Sequence, residues 1–322
     1  MSSHPNDVSI TSPQLPCGRA DEGGIALPPM VQAMRCGCPL HARRRFQLGL
    51  AGGAALAGLG SAWPAWAREG VDVGKKSIFT GAVPADQIEK AAGDQYLQLR
   101  QEANSKQALA PSNHPQVVRL RAIAERLVPF TYEWNDRARQ WRWEINLIVD
   151  KQLNAFCMPG GKIAFYTGIL AQLQLTDDEV AMIMGHEMAH ALREHARERM
   201  GKQTATQGLL EIGASLFGLG NIGRTVAGMG AQLLTLKFSR EDESEADLVG
   251  MELAARAGYD PHSGVTLWQK MMAASKGAPP QFMSTHPSSA TRIKEIEASL
   301  PKVQGLYDRA PRPQQRYAPP AA

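Results

Sequence analysis

Residues 185–196 read Gly-His-Glu-Met-Ala-His-Ala-Leu-Arg-Glu-His-Ala. His186 and His190 are four apart, so a helix would put both imidazoles on one face with Glu187 beside them. Two neutral ring nitrogens can hold a zinc ion, and the carboxylate can take a proton from a water bound to it. The pattern is short enough to arise by chance, and its surroundings give it weight. Thr176 and Glu179 have the spacing of a capping box, and Asp177 and Asp178 suit the positive end of a helix dipole. Val180, Ile183, Met184, Met188 and Ala191 follow at helical spacing, which predicts one helix running to about Met200. On such a helix His195 falls away from the side of His186 and His190 and reads as a surface or supporting residue.

A catalytic zinc takes three protein ligands and keeps a fourth position open. Residues 240–247, Arg-Glu-Asp-Glu-Ser-Glu-Ala-Asp, offer five acids on a predicted helix from about Ser239 to Ala257. Glu243 and Asp247 are four apart and share a face, but spacing alone does not choose among the five. A solvated acidic helix face is the competing reading.

Upstream of the histidines, apolar spacing predicts two helices between Asp86 and Leu127, broken at Pro111-Ser112-Asn113. Trp141 to Val149 alternates, with Trp143, Ile145, Leu147 and Val149 on one face, as a strand does. Asn154-Ala155-Phe156, a turn at Pro159-Gly160-Gly161 and a second strand over Ile163–Tyr166 complete an expected hairpin. The strand at 164–167 would offer an edge to an extended substrate. Cys157 reads as a small buried hydrophobe there. Downstream, residues 208–236 are rich in Gly, Ala and Leu, with seven glycines; a buried helix pair, a membrane-touching loop and a mobile lid all suit them. Helices follow near Ser263–Ala274 and Ser289–Leu300, and the Pro- and Gln-rich residues 301–322 read as a disordered tail.

The N-terminal region has a different character. Residues 43–67 have the make-up of an export signal: Arg43-Arg44-Arg45-Phe46, an apolar run from Leu48 to Trp63, and a small-x-small site at Ala65-Trp66-Ala67. The arginines followed by Phe46 resemble a twin-arginine signal. No cysteine stands at the cleavage site to carry a lipid. Residues 1–42, rich in Pro, Ser and Gly, read as a disordered extension. Cys17, Cys36 and Cys38 precede the signal, leaving Cys157 alone beyond it. The 322 residues carry a net +4, and beyond residue 67 there are 30 basic against 28 acidic residues, a balance that argues against nucleic acid as a partner.

Four stretches resemble the M48 peptidase family, zinc metallopeptidases that include HtpX, the CAAX prenyl endopeptidases and bacterial periplasmic proteases. They are NAFCMPGGKIAFYTGIL at 154–170, GHEMAHALREHA at 185–196, FSREDESEAD at 238–247 and STHPSSATRI at 284–293. The resemblance covers about residues 86–300 and implies an α+β, mostly helical zincin-like domain over 68–300, with a small hairpin or sheet beside the metal helix. It implies one zinc held by His186, His190 and Glu243, with Glu187 as the base. Asp247 would orient a ligand histidine, Arg240 and Arg292 would bind acids around the site, and His286 would face the metal and block or complete it. The implied activity is endopeptidase cleavage of misfolded or stalled periplasmic and outer-membrane proteins, with peripheral membrane contact through 208–236. A zinc-bound binding or chaperone-like protein, plugged by His286, is the alternative.

Overall fold

The computed structural model describes residues 9–10, 68–216, 233–275, 281–287 and 290–320. The expected export signal, and all of the N-terminal extension except Ser9–Ile10, lie outside them. The helices are α1 (Ala85–Ser105), α2 (Pro115–Leu127), α3 (Thr167–Gln172), α4 (Asp177–Leu192), α5 (His195–Leu216), α6 (Arg240–Arg256), α7 (Ser263–Ala274), α8 (Gln281–Thr285) and α9 (Ala290–Arg309). The strands are β1 (Ser9–Ile10), β2 (Trp143–Ile148), β3 (Ala155–Met158) and β4 (Lys162–Tyr166). The expected mostly helical α+β class holds.

The sheet order is β1-β2-β4-β3. The hairpin is β3–β4, with Ala155 opposite Phe165 and Met158 opposite Lys162. Gly160 and Gly161 close it at φ 84 and 75, angles glycine adopts without a Cβ penalty. The strand expected as its first arm, β2, instead runs parallel to β4, with Glu144 opposite Lys162 and Ile148 opposite Tyr166. Two expectations change with it. Val149 lies past the strand and is exposed. The edge expected at 164–167 is interior, because β4 is paired on both sides; the strand that ends the sheet beside α4 is β3.

Helix α4 is the axle. Every residue in it except Asp178 is buried, so it has no polar face, as befits a helix wrapped on all sides. The predicted capping box forms, with Thr176 accepting from the Glu179 N–H and the Glu179 carboxylate accepting from the Thr176 N–H. Arg119, fully buried on α2, donates to Asp177 Oδ1 at 2.6 Å and to Leu175 O at 2.7 Å, fixing the start of the axle.

Helix α6 crosses α4 where Gly185 meets Gly250. A Cβ on Gly250 would lie 2.5 Å from the His186 backbone nitrogen, and one on Gly185 would lie 2.7 Å from Gly250 O. Two glycines therefore let two backbones touch at the residue before His186, which sets how far the acids of α6 reach over the histidines.

The C-terminal residues depart from the expected tail. Helix α9 continues through Pro301 to Arg309. Pro301 is exposed, while Ile296, Val303 and Leu306 are buried on the opposite side. A proline inside a helix costs roughly 3 kcal/mol, and burying three such side chains at roughly 1.5–3 kcal/mol each outweighs it. Beyond the helix the chain runs back over the start of α4: Asp177 Oδ2 accepts from the Tyr317 N–H at 2.8 Å, and Arg316 pairs with Asp178 at 2.8 Å.

Candidate metal centre

Four side chains converge: His186 and His190 on α4, Glu243 on α6, and His286 just after α8. One ligand-type atom from each lies within 4.8 Å of the others, and all four residues are buried. His186 Nε2 is 3.1 Å from His190 Nε2 and 3.5 Å from Glu243 Oε2; His190 Nε2 is 3.5 Å from Glu243 Oε1. Asp247 Oδ1 lies 3.0 Å from His186 Nδ1, which fixes the His186 proton there and leaves Nε2 with a bare lone pair. Burial first, then the neighbouring His186, His286, His195 and Arg292, hold the His190 pKa well below its usual value, which favours its neutral ring.

Lone pairs from two imidazoles and a carboxylate thus face one another at 3.1–3.5 Å. Such a gathering of donor atoms suits a cation among them. For metal–ligand bonds of about 2.0–2.1 Å, the corners of a tetrahedron are about 3.3 Å apart. The residues fit one zinc ion. His286 Nδ1, 3.3 Å from His186 Nε2 and 3.0 Å from Glu243 Oε1, is close enough to join the same donor set. Two buried carboxylate oxygens, Glu187 Oε1 and Glu243 Oε2, have no hydrogen-bond partner among the described residues. Arg292 lies 2.7 Å from Glu243 Oε2 as an ion pair.

The charges around the cluster are balanced by placement. Burial would raise the Asp247 pKa, but Arg292, donating at 2.6 and 2.7 Å, and His186 outweigh it and bring it to about 2. Burial likewise acts to raise Glu243, and His286, His186 and Arg292 reverse it. For Glu187 burial wins: its pKa is raised although His286 and His186 oppose the shift. Burial acts to lower His286, and the charges of Glu187 and Glu243 overcome it, so its pKa is raised.

Of the residues expected from sequence, His186, Glu187, His190, Glu243, Asp247, His286 and Arg292 come together. Arg240 does not join them. It is exposed at the first position of α6 and makes no ion pair with a site acid among the described residues. The metal helix is also shorter than expected, ending at Leu192; Glu194 takes φ 62, and His195 opens a separate helix. That turn carries His195 back toward the site rather than away from it. Its Nδ1 is 2.9 Å from His190 Nδ1, and the residue is buried.

Sequence reasoning also passed over the aromatic packing. Phe238 stacks on His190 at 4.0 Å between centroids, Phe282 on His286 at 4.6 Å, and Arg292 sits 3.8 Å above the Trp268 ring. Phe238 stands at the head of a stretch quoted for its acids, and its stacking role had no periodic signal.

A cleft opens at Glu187 and His190. Its walls are β3 with its flanking Asn154 and Pro159, and the chain around Leu233, Leu234, Leu236 and Phe238. Of residues 208–236, α5 extends to Leu216, residues 217–232 lie outside the described residues, and the far end lines this cleft. Among the described residues, no helix is long and apolar enough to cross a membrane. Cys157 is free and buried in β3, as expected for a small hydrophobe, and burial pushes its thiol pKa well up.

The model for peptidase family M48 matches residues 112–300. The chain is 32% identical over 225 residues to the mitochondrial metalloendopeptidase OMA1 of Schizosaccharomyces pombe, covering 69% of this chain and 64% of that one. It is 30% identical over 201 residues to the metalloprotease LoiP of Escherichia coli, covering 62% and 76%. To the beta-barrel assembly-enhancing protease of the same organism it is 28% identical over 159 residues, covering 46% and 32%. The chain thus spans less than two thirds of the Schizosaccharomyces pombe relative's length. The match takes in more than half of the chain and every residue of the converging cluster: this chain belongs to peptidase family M48.

Proposed function

We propose that this chain is a zinc-dependent endopeptidase of the cell envelope that cleaves unfolded or misassembled periplasmic and outer-membrane proteins. The observation that carries the reading is the convergence of the His186 and His190 ring nitrogens and the Glu243 carboxylate beside the buried Glu187, whose Oε1 has no hydrogen-bond partner among the described residues. A zinc ion held by those three residues would polarise the scissile carbonyl and bring a bound water's pKa toward neutrality. Glu187, its proton affinity raised by burial, takes the proton of the attacking water and delivers it to the leaving amine. Strand β3 offers its outer backbone to an extended peptide, which would add to the sheet and lie along the cleft. Asp247 and Arg292 hold His186 in its tautomer.

The substrate class draws on one relative's name, which speaks of β-barrel assembly, and the envelope location on the expected signal at 43–67. The OMA1 relatives carry mitochondrial names and give neither. Contact of 208–236 with a membrane surface belongs to the same proposal.

The position of His286 favours a second reading. If its Nδ1 joined the donors around a zinc ion, the resting site would be closed, and a plugged, chaperone-like binding protein would look the same. Purified full-length chain, its Glu187→Gln variant and His286→Ala should be compared on casein and on an unfolded outer-membrane porin, with zinc content measured for each. The enzyme reading expects wild-type cleavage, a drop of at least about a thousandfold in Glu187→Gln, and equal zinc in both. If wild type, Glu187→Gln and His286→Ala are all inert with zinc bound, the endopeptidase reading fails.

A further inference from the structure

His186 and His190 each need an acceptor for the proton on Nδ1 if Nε2 is to face a metal. His186 has a carboxylate in direct contact, Asp247 at 3.0 Å. No carboxylate takes that place for His190 among the described residues. The atom facing its Nδ1 is another imidazole nitrogen, His195 Nδ1, at 2.9 Å. Two ring nitrogens at that distance share one proton, and His190 must be the donor if its Nε2 is bare. His195 then accepts on Nδ1 and carries its own proton on Nε2. That Nε2 is buried without a hydrogen-bond partner among the described residues, and Glu245 Oε2 lies 3.6 Å from it. The gap is longer than a hydrogen bond, and a shift of about half an ångström closes it.

Glu245 is itself held. Arg193 Nε donates to its Oε1, while Arg193 Nη2 donates to Gly74 O at 2.9 Å. The neighbouring Glu194 pairs with Lys76 at 3.3 Å. The segment after residue 68 therefore clasps the turn between α4 and α5.

We propose that His195 and Glu245 are positioning residues that hold His190 in its metal-binding tautomer and orientation, through a relay running His190 to His195 to Glu245. The proposal rests on the reading of His186, His190 and Glu243 as zinc ligands. It touches no reacting atom and adds no ligand. The competing account is that His195 merely packs the start of α5.

The two accounts separate in zinc affinity, measured on the full chain with a competing chromophoric chelator. Removing such a support typically weakens metal binding about 10–100-fold, and His195→Ala should fall in that range. In His195→Asn, Oδ1 can occupy the place of Nδ1 and still accept from His190, so binding should recover to within a few-fold of wild type. Glu245→Gln, at a partly exposed position, should weaken binding less than His195→Ala. It also serves if the alanine variant does not fold.

Cobalt-substituted protein supplies a second signature. Each ligand histidine should show a shifted, exchangeable Nδ1–H resonance. In His195→Ala, or in Glu245→Gln to a lesser degree, the His190 line should broaden by exchange with water while the His186 line persists. The relay is overturned if His195→Ala binds zinc as tightly as wild type, or if His195→Asn is as weak as alanine with both lines intact. Failure of wild type to bind zinc would sink the metal reading instead.

Discussion

The two histidines of α4 are one turn apart and equally buried, yet they are supported by different constructions. His186 meets a carboxylate directly. Asp247 reaches it from α6, and Arg292, from α9, grips that carboxylate with two donors. His190 meets an imidazole from a helix that starts five residues further along the same chain. The first support depends on how closely two helices cross; the second depends on how sharply one chain turns. The same chemical need, a fixed ring with its free nitrogen inward, is met once by packing and once by a backbone conformation.

The crossing is the place to break the first support. Gly250→Ala puts a methyl group 2.5 Å from the His186 backbone nitrogen, and the surrounding atoms are backbone that cannot rotate away. Either α6 moves off, taking Glu243 and Asp247 with it, or the helices strain. The cost should reach about 4 kcal/mol, at the upper end for a single methyl group. Thermal unfolding and zinc content should fall together. A variant with a wild-type melting temperature and full zinc would show that the crossing is looser than drawn.

How much of this was readable beforehand follows the same division. His186, Glu187, His190 and the acids of α6 were legible because helical periodicity turns spacing into direction. The choice of Glu243 and Asp247 among five acids, however, came from resemblance, since all five satisfy the same pattern. The turn at Arg193-Glu194 was not legible. Nothing in Ala-Leu-Arg-Glu-His marks a helix end, with neither glycine nor proline present, so a helix to Met200 was the natural expectation and His195 was sent to the wrong side. Strand pairing failed for a related reason. Alternation in Trp143–Ile148 gives faces, but it is silent on whether a strand is a hairpin arm or a parallel neighbour. At the C-terminus, Pro301 and the Gln-rich composition masked the helical spacing of Ile296, Val303 and Leu306.

The carboxylate under His186 has a measurable consequence in acid. Asp247 has a folded-state pKa of about 2, against roughly 3.9 for an unfolded aspartate. A depressed carboxylate stabilises the fold above the unfolded value, and the contribution is lost as pH falls through about 4 toward 2. A difference of about two units corresponds to roughly 2–3 kcal/mol for this buried group. Urea unfolding of chelator-treated wild type and Asp247→Asn should therefore differ in stability at neutral pH, and the difference should shrink by that amount between about pH 5 and pH 2. A gap independent of pH would mean that Asp247 acts by shape alone.

The turn under His190 should answer to smaller changes. Glu194 sits at φ 62, where a branched side chain is strained and glycine or asparagine is not. Glu194→Val should cost about 1–2 kcal/mol, because it adds strain to the loss of the pairs with Lys76 and Arg197. Glu194→Gly loses the same partners but relieves the backbone, and should lie within about 1 kcal/mol of wild type. Both substitutions remove the same charge, so any gap between them reports the turn itself. Because His195 begins its helix at that turn, the valine variant should also weaken zinc binding a few-fold while the glycine variant does not. Equal stabilities for the two would show that the left-handed residue is incidental, and that α5 is held instead by Arg197, which donates to Thr80 O at 2.6 Å and to Val83 O at 2.9 Å.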